Sequence, residues 1–233
     1  SVTDSDATGQ EDTAIKLDIG ATLNDIDGSE TITAVTIGGV PDGAQLSAGT
    51  DNGDGTWTIT DPMELAYLGD LTITPSADSN IDFSLGVTAT STEDDGDTAT
   101  STVATLNVDV VGVADVPTVT VHDATGQEDT AIALDIDATL NDIDGSESIT
   151  DITISGVPDG AQLSAGTDNG NGTWTITDPM ELAYLGDLTI TPPTDSNIDF
   201  SLGVTATSTE DDGDTATSTV ATLNVDVVGV ADV

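Results

Sequence analysis

The sequence predicts an all-β protein made of two tandem antiparallel β-sandwich domains. The chain has 233 residues and contains an internal repeat: Trp57 and Trp174 stand 117 residues apart, and roughly nine in ten aligned positions are identical. Within each copy, short stretches alternate apolar and polar residues, which is typical of half-buried strands. Gly, Asp, Asn and Pro cluster between these stretches, as they do in turns. We therefore expect one domain over residues 1–116 and a second over residues 117–233.

The strands expected in the first copy are, in order, "AIKLDI", "TITAVTI", "AQLSA", "TWTIT", "LTIT", "FSLGVTA" and "VATLNVDVV". The apolar phase of "TITAVTI" slips between Ala34 and Val35, which predicts a β-bulge. The stretch "DPMELAYLG" is expected to form a single helical turn. About seven strands in each copy predict a two-sheet sandwich of immunoglobulin or cadherin type. The chain has no Cys, so this sandwich lacks a disulfide, and we expect the two domains to be arranged end to end.

The charge of the chain excludes several classes of function. Acidic residues number 44 against one basic residue, for a net charge of −43. A field of this sign repels nucleic acid and anionic membrane surfaces, so we expect neither as a direct partner. Because 36% of the residues are hydrophobic and fall in strand patterns, we expect a folded chain rather than a disordered one. No apolar run long enough for a membrane span and no signal peptide occurs within these residues.

Acidic residues concentrate in the predicted loops, and strand directions predict where they meet. If "AIKLDI" is the first strand, "GQED" and "EDDGD" lie at the end that holds the N-terminus, while "NDIDGSE" and the last Asp lie at the other. Carboxylates crowded in this way repel one another unless a hard cation lies between them, and calcium accepts six to eight oxygen ligands in flexible geometry. The expected calcium ligands are Glu11, Asp12, Asp25, Asp27, Glu30, Glu93, Asp94, Asp115, Glu128, Asp129, Asp142, Asp144, Glu147, Glu210, Asp211 and Asp232.

Two alternatives remain open for these acids. In the first, the carboxylates are solvated loop charges that bind no ion. In the second, "DIDGSE" holds a local ion of its own. Outside the acidic loops, Trp57 and Trp174 alternate with Thr and are expected in the core rather than on a glycan-stacking surface. His122 and Lys16 are replaced by other residues in the other copy, so we expect both on the surface. Catalysis is not expected, because the carboxylates have no His, Cys or Lys partner suited to acid–base chemistry.

Several motifs together resemble a known family. The stretches "GQEDTAI", "DIDGSE", "GVPDGAQLSAGT", "GDGTWTIT", "LTITP" and "VVGVADVP" resemble the tandem cadherin-like or Ig-like extender repeats of giant bacterial RTX adhesins, which are exported by type I secretion. The resemblance covers essentially the whole chain. It implies an extracellular spacer, rigidified by calcium, that holds a ligand-binding tip away from the cell. It also implies calcium shared at the joint by Asp115 before Pro117, Glu128, Asp129, Glu210 and Asp211.

The function expected from the sequence is therefore a structural extender of a bacterial surface adhesin, with roles in cell adhesion and biofilms. Its partners are expected to be neighbouring identical repeats of the same chain, in a longer array that is otherwise monomeric. The alternative is a calcium-dependent module that binds carbohydrate or another protein, and a glycosidase is a distant third. Near-identity of the two copies favours the spacer, because a repeated scaffold needs joints more than diverse binding sites. Specific binding on a glycan array that survives mutation of the linker acids would favour the binding module over the spacer.

Overall fold

The computed structural model describes residues 1–25, 27–142 and 144–231. It divides the chain into two compact units, unit 1 (Ser1–Val113) and unit 2 (Ala114–Val233). The sequence-based boundary falls after residue 116, so the structure assigns Ala114, Asp115 and Val116 to unit 2 instead of the first domain. Each unit is nearly all β, which confirms the predicted fold class.

Within residues 1–25 and 27–113, unit 1 contains twelve strands and one short α-helix. The strands are β1 (Val2–Ser5), β2 (Ala7–Gln10), β3 (Ile15–Lys16), β4 (Asp18–Ala21), β5 (Glu30–Gly38), β6 (Gln45–Leu46), β7 (Thr50–Asp51), β8 (Thr56–Ile59), β9 (Thr72–Thr74), β10 (Phe83–Glu93), β11 (Thr98–Thr100) and β12 (Ala104–Val111). The helix α1 (Pro62–Ala66) precedes a 3₁₀ turn, Leu68–Asp70. Asp61 caps α1 because its Oδ1 accepts the N–H of Met63 at 2.8 Å.

Unit 2 repeats this order. Its strands are β13 (Thr118–His122), β14 (Ala124–Gln127), β15 (Ile132–Ala133), β16 (Asp135–Thr139), β17 (Glu147–Ser155), β18 (Gln162–Leu163), β19 (Thr167–Asp168), β20 (Thr173–Ile176), β21 (Thr189–Thr191), β22 (Phe200–Glu210), β23 (Thr215–Thr217) and β24 (Ala221–Val228). The helix α2 (Pro179–Leu182) precedes a 3₁₀ turn, Leu185–Asp187. The helices expected in "DPMELAYLG" are therefore confirmed in both copies. Among the described residues, no helix is long and apolar enough to cross a membrane.

Each unit is a sandwich of one large sheet and two small ones. In unit 1 the large sheet has the order β2-β12-β10-β5-β8-β7, with β11 also paired to β10, and the small sheets are β1-β4 and β3-β9-β6. Unit 2 has the equivalent order β14-β24-β22-β17-β20-β19. The pairs β2–β12 and β14–β24 are parallel, which corrects the expectation of a wholly antiparallel sandwich. They are parallel because the chain before "GQED" crosses from a small sheet to the large one.

The core of each unit lies between its sheets. In unit 1, Leu85 and Leu106 of the large sheet are fully buried, as are Ile15 and Ile73 of a small sheet. Burial of each such side chain contributes about 1.5–3 kcal/mol. Trp57 is 7% exposed and belongs to the same cluster, which confirms its predicted place in the core.

The strand β5 contains the predicted bulge, one residue earlier than expected. Its register against β10 shifts so that Thr33 has no partner between Ile32 and Ala34. Unit 2 repeats the shift between Ile149 and Asp151. The bulge explains why the apolar phase of the sequence changes along this strand.

The acidic loops of each unit gather at two ends, which we call the upstream and downstream poles. In unit 2 the upstream pole comprises residues 114–117, 140–142, 144–147 and 210–214, and the downstream pole comprises residues 127–131, 192–199 and 228–231. The equivalent poles of unit 1 are 22–25, 27–30 and 93–97 upstream, and 10–14, 75–82 and 111–113 downstream. Glu147 pairs with Glu210 at the upstream pole, whereas Gln127 pairs with Val228 at the far end of the same sheet.

This arrangement overturns the predicted grouping of the acidic loops. The loops "NDIDGSE" and "EDDGD" share a pole, and "GQED" lies at the opposite one. The sequence analysis missed the strands before "AIKLDI", β1 and β2 in unit 1 and β13 and β14 in unit 2, but these strands precede all of the acidic loops and do not change their grouping. It also expected a single strand, "AQLSA", between "VPDG" and "DNGDG", where the structure has β6 followed by β7, which runs antiparallel to β8. The two loops therefore lie at the same end, where Val40 donates its N–H to the carbonyl oxygen of Gly55 at 3.1 Å, and each later loop, including "EDDGD", was assigned to the wrong end.

Candidate metal centre

Three acidic side chains are buried together at the upstream pole of unit 2. Asp142 lies in the loop before β17, Glu147 begins β17 and Glu210 ends β22. Their exposed fractions are 4%, 6% and 3%. Acidic residues are almost never this buried unless they are paired or bind a metal. We call Asp142, Glu147 and Glu210 the acidic centre.

The strand pattern explains why these side chains point inward. Along β22, alternate residues face the core, so that Leu202, Val204 and Ala206 are followed on the same face by Ser208 and then Glu210. Glu147 stands opposite Glu210 on β17. The inward face of the sheet therefore changes from apolar to acidic as it reaches the pole.

The carboxylates are close, and one of their oxygens has no partner. Asp142 and Glu210 offer carboxylate oxygens within 4.8 Å of one another. Oε2 of Glu147 is buried and accepts no hydrogen bond from the described residues. A buried acceptor without a partner costs about 1–3 kcal/mol, and more when it carries charge. An oxygen in this state is a suitable ligand for a cation.

Main-chain and hydroxyl donors hold the rest of the centre in place. Oε1 of Glu147 accepts the N–H of Asp115 at 2.8 Å, and the Ser208 hydroxyl donates to the carbonyl oxygen of Asp115 at 2.7 Å. Oδ1 of Asp142 accepts the N–H of Asp144 at 2.8 Å, and its Oδ2 accepts the Ser146 hydroxyl at 3.4 Å. The segment that leads into unit 2 is therefore bonded directly to the acidic centre.

The electrostatics of the centre favour either a proton or a metal ion. Burial raises the pKa of Glu147, and the charges of Asp142 and Asp115 raise it further, against hydrogen bonds from Ser208 and the Asp115 N–H that lower it. Burial also raises the pKa of Glu210, and the charges of Asp142 and Glu147 act in the same direction. Unit 2 contains no Lys or Arg that could offset these charges, because Lys16 of unit 1 is the single Lys or Arg in the sequence.

The donor set fits a hard cation such as calcium. It consists of carboxylate oxygens with further carbonyl and hydroxyl oxygens nearby, and it contains no sulfur or imidazole. His122, the single His in the chain, is exposed and pairs with Asp135 at 3.1 Å. Calcium tolerates irregular geometry better than magnesium, which demands a near-ideal octahedron. Oε2 of Glu147, which accepts no hydrogen bond from the described residues, is available as a ligand atom.

Other acids at this pole have structural roles in its loops. Oδ1 of Asp144 accepts both the N–H and the hydroxyl of Ser146, at 2.8 and 2.6 Å. Oδ2 of Asp214 accepts the N–H of Ala114 at 3.2 Å. Asp211 is exposed, and Asp232 lies outside the described residues. The sequence analysis did not single out Ser208 or Asp214, although the inward phase of β22 identifies Ser208.

The "GQED" acids, predicted to share a clamp with Glu210 and Asp211, lie at the downstream pole instead. Oε1 of Glu128 accepts the N–H of Val230 at 2.6 Å, which holds the end of unit 2 against the turn. Asp129 adopts a left-handed φ of 55°, and its Oδ1 accepts the N–H of Asp195 at 3.0 Å. Glu11 and Asp12 repeat both bonds in unit 1, to Val113 at 2.6 Å and to Asp78 at 3.0 Å. These bonds brace the loops of the downstream pole.

The upstream pole of unit 1 contains the equivalent acids in a more open setting. Asp25, Asp27 and Asp94 are exposed, and Glu30 and Glu93 are half-buried. The hydroxyl and N–H of Ser29 hold the pKa of Asp27 below its usual value. Asp115, predicted to lie with Asp25, Asp27 and Glu30, instead contacts Glu147 of unit 2.

Comparisons with known proteins give similarity at the level of solved structures. No protein-family model matches the chain, and no curated protein does. The chain is similar to FdeC, an Escherichia coli adhesin, at 18% identity over 99% of this chain and 64% of that one, with a TM-score of 0.30. It is also similar to the D00-D0 domain of intimin, at 14% identity over 96% and 99% of the two chains, with a TM-score of 0.31. A third similar structure is Drosophila N-cadherin EC1-3, at 16% identity over 97% of this chain and 65% of that one, with a TM-score of 0.24. At these TM-scores, the chemistry of the site rests on its own geometry.

Proposed function

We propose that the chain is a calcium-stabilised structural spacer of an extracellular bacterial adhesin. The observation that carries this proposal is the acidic centre of unit 2, where the buried Glu147 carboxylate bonds directly to the main chain of the segment entering the unit. Asp115 lies in that segment and donates its N–H to Glu147. A cation that fixes Glu147 would therefore also fix the path of the entering chain.

Calcium supplies the charge that the centre lacks. Asp142, Glu147 and Glu210 would hold the ion, and the unpartnered Oε2 of Glu147 would become a ligand. Extracellular calcium-binding modules have dissociation constants of about 10⁻⁴–10⁻³ M, which matches a site that fills outside the cell. Binding to the native state alone stabilises it by mass action.

A spacer also needs a stiff connection between repeats. Pro117 has a fixed φ and restricts Val116 to extended geometry, and Asp115 is bonded through both its N–H and its carbonyl oxygen. We propose that calcium completes this stiffening. The partners of each repeat are then the neighbouring repeats of one long chain. We propose that this chain reaches the bacterial surface by type I secretion and that its role is non-catalytic.

Calcium titration calorimetry and small-angle scattering together test this function. Asp142→Asn removes one charged ligand from the buried centre, and Asp25→Asn makes the same change at the exposed equivalent in unit 1. We expect the wild type to bind calcium and its distance distribution to narrow on binding. We expect Asp142→Asn to weaken the affinity about tenfold and to broaden the distribution, with a smaller effect from Asp25→Asn. A distribution that calcium does not change would contradict the spacer.

A further inference from the structure

An exposed aromatic side chain lies beside the short helix of each unit. Tyr67 is 64% exposed and Met63 of α1 is 72% exposed, and Tyr184 and Met180 have the same values in unit 2. Neither Tyr belongs to the hydrophobic core of its unit. Single exposed apolar residues are ordinary on a protein surface, so the surroundings of each Tyr decide whether it has a binding role.

Each Tyr stands between two carboxylates on one side of its helical turn. The N–H of Tyr67 donates to the carbonyl oxygen of Glu64 at 3.0 Å, and the N–H of Asp70 donates to that of Tyr67 at 2.9 Å. Residues three apart in such turns lie on the same side, so the three side chains follow one another as carboxylate, ring and carboxylate. We call this set the Tyr row. Unit 2 repeats both bonds, at 3.1 and 3.0 Å, in the equivalent row of Glu181, Tyr184 and Asp187.

An apolar cavity of about 220 Å³ lies beside the Tyr row of unit 1. Ala48, Met63 and Leu71 line it together with the three residues of the row. The ionised carboxylates of Glu64 and Asp70 only accept hydrogen bonds. A ligand that matches these walls therefore combines an apolar stem with a head group rich in hydrogen-bond donors, and it is not an anion.

Unit 1 itself places a cation on its Tyr row. Nζ of Lys16 lies 3.4 Å from Oδ1 of Asp70, and both side chains are largely exposed. An exposed ion pair of this kind is weak, so a better cationic ligand can displace the ammonium group. Unit 2 has Ala133 at the position of Lys16, so Asp187 has no equivalent pair. The chain therefore contains the same row with and without a competing cation of its own.

We propose that each Tyr row binds an arginine side chain of a basic partner protein. A guanidinium group is planar, stacks on an aromatic ring and bonds a carboxylate through several N–H donors, while its methylene stem packs on an apolar wall. A net charge of −43 attracts a basic partner. A second copy of these residues cannot supply the arginine, because Lys16 is their single basic residue of the Lys and Arg type. This binding role goes beyond the spacer function and does not depend on the acidic centre.

An NMR titration of the whole chain with Nα-acetyl-arginine amide tests the site. The buffer contains about 0.15 M salt, which screens the general attraction of cations to the chain, and about 1 mM calcium. We expect saturable shifts of the Tyr67 and Tyr184 resonances. Nα-acetyl-lysine amide should bind about threefold more weakly, because its ammonium group has no planar face to stack on the ring. The uncharged citrulline analogue should give no saturable shift.

A matched pair of variants separates stacking on the ring from general attraction to the acidic chain. Tyr184→Ala keeps the net charge and should weaken binding at unit 2 about threefold, whereas Tyr184→Phe keeps the ring and should bind as the wild type does. The Tyr row of unit 1 is the internal control in both samples. Thermal unfolding checks that both variants remain folded.

Exchange of the competing lysine gives an independent test. Lys16→Ala should tighten binding at unit 1 toward the affinity of unit 2, and Ala133→Lys should weaken binding at unit 2. Equal affinities for the arginine and lysine probes would overturn the inference, as would an affinity that Tyr184→Ala leaves unchanged or the absence of any saturable shift. Saturable shifts of the same Tyr resonances with glucose instead of the arginine probe would also overturn it, in favour of a carbohydrate site.

Discussion

Glu147 and Glu210 stand directly opposite each other on β17 and β22, and both are buried. Like charges at directly opposed positions destabilise a sheet, and burial without a counter-charge adds to the cost. In unit 1 the equivalent pair, Glu30 and Glu93, is also directly opposed but half-buried. The two units therefore allow one charge pair to be compared in two degrees of burial.

The first prediction concerns whether a double substitution in the acidic centre raises or lowers the stability of unit 2. Glu147→Gln with Glu210→Gln should stabilise unit 2 in chelator by about 1 kcal/mol, or roughly 4 °C in Tm, because it removes repulsion between buried carboxylates. In calcium the same change should destabilise unit 2 relative to wild type, since it removes two charged ligands. Scanning calorimetry in the two buffers measures both effects.

The equivalent change in unit 1, Glu30→Gln with Glu93→Gln, is the control for this reversal of sign. Water screens the half-buried pair better, so its effect in chelator should be smaller. If the variant of unit 2 is less stable than wild type in both buffers, the side chains act as neutral hydrogen-bonding groups and the centre is not a metal site.

The second prediction concerns pH in the absence of calcium. Burial raises the pKa of Glu147 and Glu210 above the ordinary value of 4.5, so the folded unit binds protons more tightly than the unfolded chain. The stabilisation from proton uptake is complete below 4.5 and is lost as the pH rises through the raised values. The Tm in chelator should therefore rise as the pH is lowered from 7 toward 5.

The double Gln variant of unit 2 isolates this contribution from the general relief of a net charge of −43. Its Tm should depend less steeply on pH than the wild-type Tm over the same range. Equal slopes would show that the two glutamates titrate alike in the folded and unfolded states.

The strands with clear alternation could be predicted from the sequence, and one class of strand could not. "FSLGVTA" and "VATLNVDVV" became β10 and β12, and Trp57 lies in the core. The missed strand β1 reads "VTDS", and its polar residues and Asp make it similar to a loop. It forms because it pairs with β4, a long-range contact that no local pattern reveals. The acidic loops were placed at the wrong poles for a separate reason, the two-residue strand β7, which returns the chain to the end that holds "VPDG" and is too short to leave an alternating pattern.

The residues of the acidic centre could be selected from the sequence, but their grouping could not. Asp142, Glu147 and Glu210 were all among the expected ligands, because they lie in acidic loops. Loop composition does not distinguish them from Glu128, which bonds to Val230 at the opposite pole. Burial makes that distinction, and it depends on which strand ends meet. The phase of β22 does carry part of this information, since it aligns Ser208 and Glu210 with the core face.

The third prediction separates the bracing role of Glu128 from calcium binding. Glu128→Ala removes the acceptor for the N–H of Val230, a charge-assisted bond at 2.6 Å. The free energy of unfolding of unit 2 should fall by about 1.5–3 kcal/mol. The calcium affinity of the acidic centre in unit 2 should stay the same, because Glu128 lies at the downstream pole. Denaturant titration and calorimetry measure the two quantities, and a loss of calcium binding at that centre would restore Glu128 as a ligand.

The last prediction concerns the amide of Asp115. Its N–H donates to a buried carboxylate oxygen of Glu147 at 2.8 Å, so its hydrogen exchange should be slow while the segment entering unit 2 is bonded to the acidic centre. Glu147→Ala removes the acceptor and should return this amide to fast exchange, whereas Glu30→Ala, the same change in unit 1, should leave it protected. Ser208→Ala removes only the bond to the carbonyl oxygen of Asp115 and should give intermediate protection. Exchange measured by NMR in calcium and in chelator would also show how far the ion contributes to this order. An Asp115 amide that exchanges freely in the wild type would mean that the acidic centre does not hold the segment entering unit 2.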